Sequence, residues 1–281
     1  MQAQGAPVQR RTGRRDASRR APRDDVQPGH VRLTLDDVHV GGRRGPMLDL
    51  PSLTFGTGQC VLVAGDPGEG HSALALVATG RLAPYTGTVT LTAADGSTTT
   101  SPSRLRALSA VVDLPGVSAP DDVLSVGTVV GEELALARRP SGPSAVRRWL
   151  EQHALADRHD TRVDELDGPV RTALLTSLAA GRPGVRLLVL VLPDRHGGEP
   201  SDWWAIAQEL AGRGYGVLVQ CLRSSAHHLG VAVPPSRGDV LRRAVPDEVM
   251  RVEPGVPPVA GPGQTRALPA GDDTGPGEEA S

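Results

Sequence analysis

Between residues 65 and 74 the chain reads Gly65-Asp66-Pro67-Gly68-Glu69-Gly70-His71-Ser72-Ala73-Leu74. The spacing of Gly65, Gly70 and Ser72 is that of a phosphate-binding loop, G-x-x-x-x-G-K-[ST], with His71 in the lysine position. Such a loop grips phosphates through backbone N–H groups that converge at the start of a helix. Glycines at 65, 68 and 70 keep that geometry available, and Ser72 keeps the hydroxyl that contacts Mg²⁺. The fixed positive charge is missing, since the chain has no lysine at all, and Asp66 and Glu69 add negative charge beside the loop. His71 supplies a cation only when protonated; its ordinary pKa is about 6.5, and a bound phosphate would raise it. The residues expected to meet ATP are therefore Gly65, Asp66, Pro67, Gly68, Glu69, Gly70, His71, Ser72 and Ala73, with Ser72 the Mg²⁺ contact. Binding is expected to be weak and to strengthen below neutrality. A loop that no longer meets nucleotide fits the same residues.

The elements that must position this loop follow from the apolar pattern. Val31–Leu35 alternates as a half-buried strand does, and Leu48–Phe55 and Cys60–Ala64 are further strands, the last running straight into the glycine loop. Residues 71–80 read as a helix ended by Gly80, so the loop has strand–loop–helix context. Thr88–Thr92 and Leu108–Asp113 read as strands. Residues 124–154 carry helical spacing broken at Pro140 and Pro143, and residues 170–180 form a helix stopped by Gly181. Arg186–Leu192 and Gly216–Cys221 are apolar without alternation, as in a parallel sheet covered on both faces. A helix over 202–212 separates them. Strands alternating with helices give an α/β fold.

Composition narrows the function classes. The chain has 281 residues, a formal net charge of −2 and 2% aromatic residues, which argues against bulk nucleic-acid binding or a base-stacking platform. Cys60 and Cys221 each sit in an apolar strand and read as small buried hydrophobes of a reducing compartment, not as a disulfide framework. No apolar run approaches the ~20 residues a membrane-spanning helix needs. Residues 1–30 are arginine-dense, lack apolar periodicity and have no hydrophobic segment behind them; they read as a disordered tail that is solvated or touches anionic surfaces. Residues 231–281 are rich in Pro and Gly and read as mostly disordered, with a short amphipathic stretch at Asp239–Val252. A folded domain over 31–230 remains.

Several segments of that domain, in order, resemble the ATP-binding cassette (ABC) ATPases of membrane transporters. Gly80–Leu91 (GRLAPYTGTVTL) is similar to the family's stretch after the phosphate-loop helix. Leu124–Leu134 (LSVGTVVGEEL) resembles the "L-T-V-x-E-N-L" of the helical subdomain, which spans about 115–180. Glu165–Arg171 (ELDGPVR) resembles the signature "L-S-G-G-Q-x-x-R". Leu187–Pro193 (LLVLVLP) resembles the Walker B strand "L-L-L-L-D-E-P", and Val217–Cys221 (VLVQC) the strand entering the histidine switch. The resemblance implies a P-loop NTPase fold with an ABC-type core sheet and helical subdomain. It also implies ATP and Mg²⁺ as ligands, a membrane-spanning partner, a homo- or heterodimer with another such ATPase, and a cytoplasmic place on the inner face of the membrane.

The working positions depart from the family. His71 stands for the lysine, Asp113 for the Mg²⁺-sensing glutamine, Asp167 and Val170 for the signature Ser and Gln, Val191 and Leu192 for the Walker B Asp and Glu, and Cys221 for the switch histidine. No aromatic residue lies in 31–47 to stack on adenine. Asp194–Glu199 replaces the loop after Walker B with one residue too many. Phosphoryl transfer rests on positioned charge and a positioned water, so no catalytic residue is expected and hydrolysis is expected to be absent or very weak. In a family-type head-to-tail dimer Asp167 would set a carboxylate against the partner's γ-phosphate. An interaction module that kept the fold and lost nucleotide is the alternative, and an ATPase using Asp194 as a displaced acid is a third reading. Trp149 reads as either core or partner contact. Trp203-Trp204 read as one core anchor and one exposed contact, and His227-His228 as lacking the neighbours a metal site needs.

Overall fold

The computed structural model describes residues 29–42 and 45–232, and the backbone of 248–252. Two sheets and a helical layer build the domain. The first is antiparallel, order β2-β1-β4-β5, from β1 (Arg32–Gly42), β2 (Gly45–Gly56), β4 (Thr86–Thr92) and β5 (Thr98–Thr99). The second has the order β6-β7-β8-β3-β9. Its β3 (Cys60–Gly65), β6 (Ser109–Val112), β7 (Leu187–Val191) and β8 (Gly216–Leu222) run parallel, and β9 (Glu248–Val252) pairs antiparallel with β3.

Continuous burial along β3, β6 and β7 marks strands covered on both faces. One face packs Val61, Val63, Val189 and Leu218 on α1 (His71–Ala78) and on the antiparallel sheet through Leu33, Leu53 and Phe55. The other packs Leu62, Leu188, Leu190 and Val219 on the helical side. That side is formed by α3 (Val126–Leu136), α4 (Pro143–Gln152), α5 (Gly168–Ala180) and α6 (Pro200–Gly212). With one phenylalanine in the chain, bulk comes from Leu, Val and tryptophan. Trp203 and Trp204 are both buried, correcting the expectation that one faces solvent: they start α6 with Pro200 ahead of them, and both rings meet in an edge-on pair inside the helical core. Trp149 is buried too and stacks on His153 one turn along α4.

The pattern-based strands and helices are present, most with small shifts at their ends, while β1 runs on past the expected Leu35 to Gly42. It did not indicate β5, the short α2 (Pro102–Leu108) or α7 (Arg223–His228), nor the strand β9 inside the segment expected to be mostly unstructured. Residues 1–28, 43–44, 233–247 and 253–281, with most of both tails, lie outside the described residues. Among the described residues no helix is long and apolar enough to cross a membrane.

Candidate functional site

The four parallel strands end on one edge, where α/β sheets hold ligands. Gly65, Asp113, Leu192 and Leu222 stand at or just past the ends of β3, β6, β7 and β8. The glycine loop leaves β3 as its spacing predicts. Gly68 (φ +94°) and Gly70 (φ +93°) take left-handed conformations that side-chain-bearing residues rarely adopt, and Gly70 caps α1 without a side-chain bond. The N–H of Glu69 donates to the Asp66 carbonyl at 3.1 Å and that of Leu74 to Gly70 at 2.8 Å, closing the curl. Ser72 is exposed at the first turn of α1, and Ala73 is buried behind it.

His71 does not reach outward. Its side chain is buried, and a Cβ built on Gly65 would lie 3.2 Å from its ring, so the imidazole folds over the first glycine. Burial pushes its pKa below the ordinary histidine value, against a hydrogen bond with the backbone of Cys221 and the charges of Asp194 and Asp66. The sign opposes the one a phosphate would impose. Glu69 folds the same way: its Oε2 accepts the Asp66 N–H at 2.6 Å and would lie 3.1 Å from that same built Cβ.

Past β7, Leu192 holds φ +48°, a left-handed conformation costing about 1–2 kcal/mol for a residue with a side chain. The turn that follows aims Asp194 at the end of β8. One oxygen of Asp194 accepts the Leu222 N–H and the Ser225 hydroxyl, each at 2.7 Å, fixing the entry into α7. Val191 is buried, and Cys221, also buried, has its thiol pKa raised, by burial first and by Asp194 second. Neither can hold a metal or a water as a carboxylate does. The Ser72 hydroxyl, expected as the Mg²⁺ contact, has no acidic side chain at 191 or 192 to support it. Among the described residues no group of three or more His, Cys, Asp and Glu side chains could hold a metal ion.

At the far end of the edge Asp113 is the centre of a charge cluster that the motif pattern does not reveal. Arg171 of α5 grips its carboxylate with both arms, Nε and Nη2 at 3.0 Å each. Arg195 Nη2 lies 2.9 Å from Oδ1, and His196 Nε2 lies 2.9 Å from Oδ2. The third nitrogen of Arg171 donates to Asp122 at 2.7 Å. Burial opposes charge on Asp113. The hydrogen bonds from His196 and Arg171, with the charges of Arg195 and Arg171, overcome it and hold the carboxyl well below the usual carboxylate range. The cluster joins β6, α5 and the turn after β7. Close approach reinforces it: a Cβ on Gly168 would lie 2.3 Å from the Gly197 carbonyl oxygen. Asp113 directly follows a buried strand, but no local pattern ties it to Arg171, 58 residues further on.

Asp167 is exposed at the start of α5. His227 and His228 are exposed, and His228 pairs with Glu199 at 3.2 Å.

No protein-family profile matches the chain, and no curated protein does. Solved structures do. A nucleotide-free ATP-binding cassette from an ABC transporter is 19% identical, with TM-score 0.51 over 69% of this chain and 82% of its own. The ADP conformation of an ATP-binding cassette of an ABC transporter gives the same figures. The twinning structure of an ATP-binding cassette of an ABC transporter is 21% identical, with TM-score 0.52 over the same shares. At these identities the likeness is one of fold, and the chain has the α/β fold of the ATP-binding cassettes.

Proposed function

We propose that this chain is an ATP-binding subunit of ABC-transporter type that binds MgATP weakly and does not turn it over. One observation carries the reading. The phosphate loop keeps its left-handed glycines and its helix, while the charged groups that phosphoryl transfer requires are replaced by His71, Val191, Leu192 and Cys221. Binding then rests on backbone N–H groups, the start of α1 and the Ser72 hydroxyl. With no carboxylate at 191 or 192, nothing there orients a water. Each lost electrostatic contribution typically costs 10²–10³ in rate.

Its partners in this reading are a membrane-spanning transporter subunit and a second cassette. The protein then lies on the cytoplasmic face, peripheral to the membrane. Phosphate release by the full chain with MgATP should not exceed the protein-free background. Release that Asp194→Ala abolishes would restore an enzyme built on the displaced acid. Co-purification with a multi-span membrane protein is the expected partner result. Retrieval of soluble partners alone would favour the second reading, an interaction module without nucleotide. The inward fold of His71 and Glu69 supports that second reading.

A further inference from the structure

An empty phosphate loop ordinarily presents convergent N–H groups with no negative charge at their focus. Here a carboxylate from the loop itself takes one of those N–H groups, that of Asp66. Glu69 Oε2 accepts the Asp66 N–H at 2.6 Å and lies over Gly65, the first glycine of the curl. The bond spans three residues of one turn, and the N–H of Glu69 returns to the Asp66 carbonyl, so the loop backbone holds the carboxylate in place. The imidazole of His71, its pKa shifted toward the neutral form, also lies over Gly65, and the buried Arg223 follows Leu222, the strand partner of Gly65.

We infer that Glu69 is an affinity-determining residue of this loop: its carboxylate occupies the phosphate cradle as an intramolecular anion, and a phosphate chain binds only by displacing it. The inference rests on the reading of the loop as a nucleotide site. Two effects act together. A ligand that binds only the open form has its apparent affinity reduced by the fraction of open loops. A carboxylate that stays near an incoming triphosphate repels it. The ligand class is a polyphosphate, free or attached to a nucleoside. The loop therefore differs from an open one in having a competitor built into its sequence at position 69.

The test is calorimetric titration of the full chain, and of its Glu69→Ala and Glu69→Gln variants, with inorganic tripolyphosphate and with MgATP. Glu151→Gln serves as control; it removes one negative charge from the exposed face of α4 and leaves the loop alone. Glu69→Ala should bind both probes at least about tenfold tighter than the unaltered chain, with Glu69→Gln between them and Glu151→Gln unchanged. Thermal unfolding of each variant without ligand confirms that each is folded. Three results overturn the inference. If the unaltered chain binds and the Glu69 variants bind no better, the cradle is not self-occupied and the nucleotide reading stands. If Glu151→Gln strengthens binding as much as Glu69→Ala, net charge is responsible. If no folded variant binds either probe, the nucleotide reading falls and the inference with it.

Discussion

Two clusters on one sheet edge carry opposite charge balances. At the end of β3 the loop gathers Asp66 and Glu69 beside backbone N–H groups, and the histidine in the lysine position, His71, is buried and biased toward neutrality. At the end of β6, Asp113 is surrounded by two guanidiniums and an imidazole. A working nucleotide site needs cations at the phosphates and free acids beside them. Here the cations are spent on an internal carboxylate, and the acids sit in the phosphate loop. The difference teaches that a fold can keep every element of such a site while the charges are reassigned from ligand to scaffold. Packing and strand order do not depend on which residue carries the charge at a strand end.

Removing the centre of the cationic cluster should have the largest effect. Asp113→Ala leaves Arg171 buried without its bidentate partner, and breaking a buried pair costs about 3–5 kcal/mol. Calorimetric melting should show a fall on the order of 10 °C. The milder Asp113→Asn tests the same pair by pH. A carboxyl whose folded pKa lies below its unfolded value of 3.8 stabilises the protein above that value, and the stabilisation is lost as pH falls through the folded pKa. The difference in stability between the parent and Asp113→Asn should therefore be full near pH 6 and shrink below pH 4. A constant difference would place the cost elsewhere.

Asp194 sits between the two clusters. Asp194→Ala removes one acceptor shared by Leu222 and Ser225 and should cost about 1–3 kcal/mol, read by urea unfolding. At the loop, His71→Lys restores a permanent cation and should strengthen MgATP binding by roughly tenfold, about 1.4 kcal/mol. It should also flatten the pH profile. The parent's affinity should rise as pH falls through the acidic side of neutrality, because burial holds His71 neutral until then. Equal profiles for both would remove His71 from the account. The smallest effect is expected at the thiols. Burial pushes Cys60 up to about 12 and raises Cys221 as well, so neither should react with an aromatic disulfide reagent until the protein unfolds.

Much of the fold was legible because its signals are local. The apolar runs Cys60–Ala64, Arg186–Leu192 and Gly216–Cys221 gave the parallel sheet, and Gly65, Gly68 and Gly70 gave the loop. The misses have physical causes. Helix α2 starts at Pro102 in a polar stretch with one buried side chain, Leu105, so it carries no periodicity. Strand β9 belongs to a segment whose proline content masks it. One of Trp203 and Trp204 is expected at the surface because neighbouring helical residues usually diverge, whereas both pack into the core on the helical side. The Asp113–Arg171 pair joins residues 58 apart, a separation no local pattern reports. The positions of the Glu69 and His71 side chains depend on rotamers that spacing does not fix.

The central claim is that the edge keeps a phosphate cradle but not the charge to fill it. Calorimetric titration of the full chain with MgATP at pH 7.5 tests it most directly. Saturable binding weaker than about 0.1 mM, or about −5.5 kcal/mol, is the predicted result. A dissociation constant near 1 µM, about −8.2 kcal/mol, would contradict it, because backbone N–H groups shared with Glu69 could not supply that affinity.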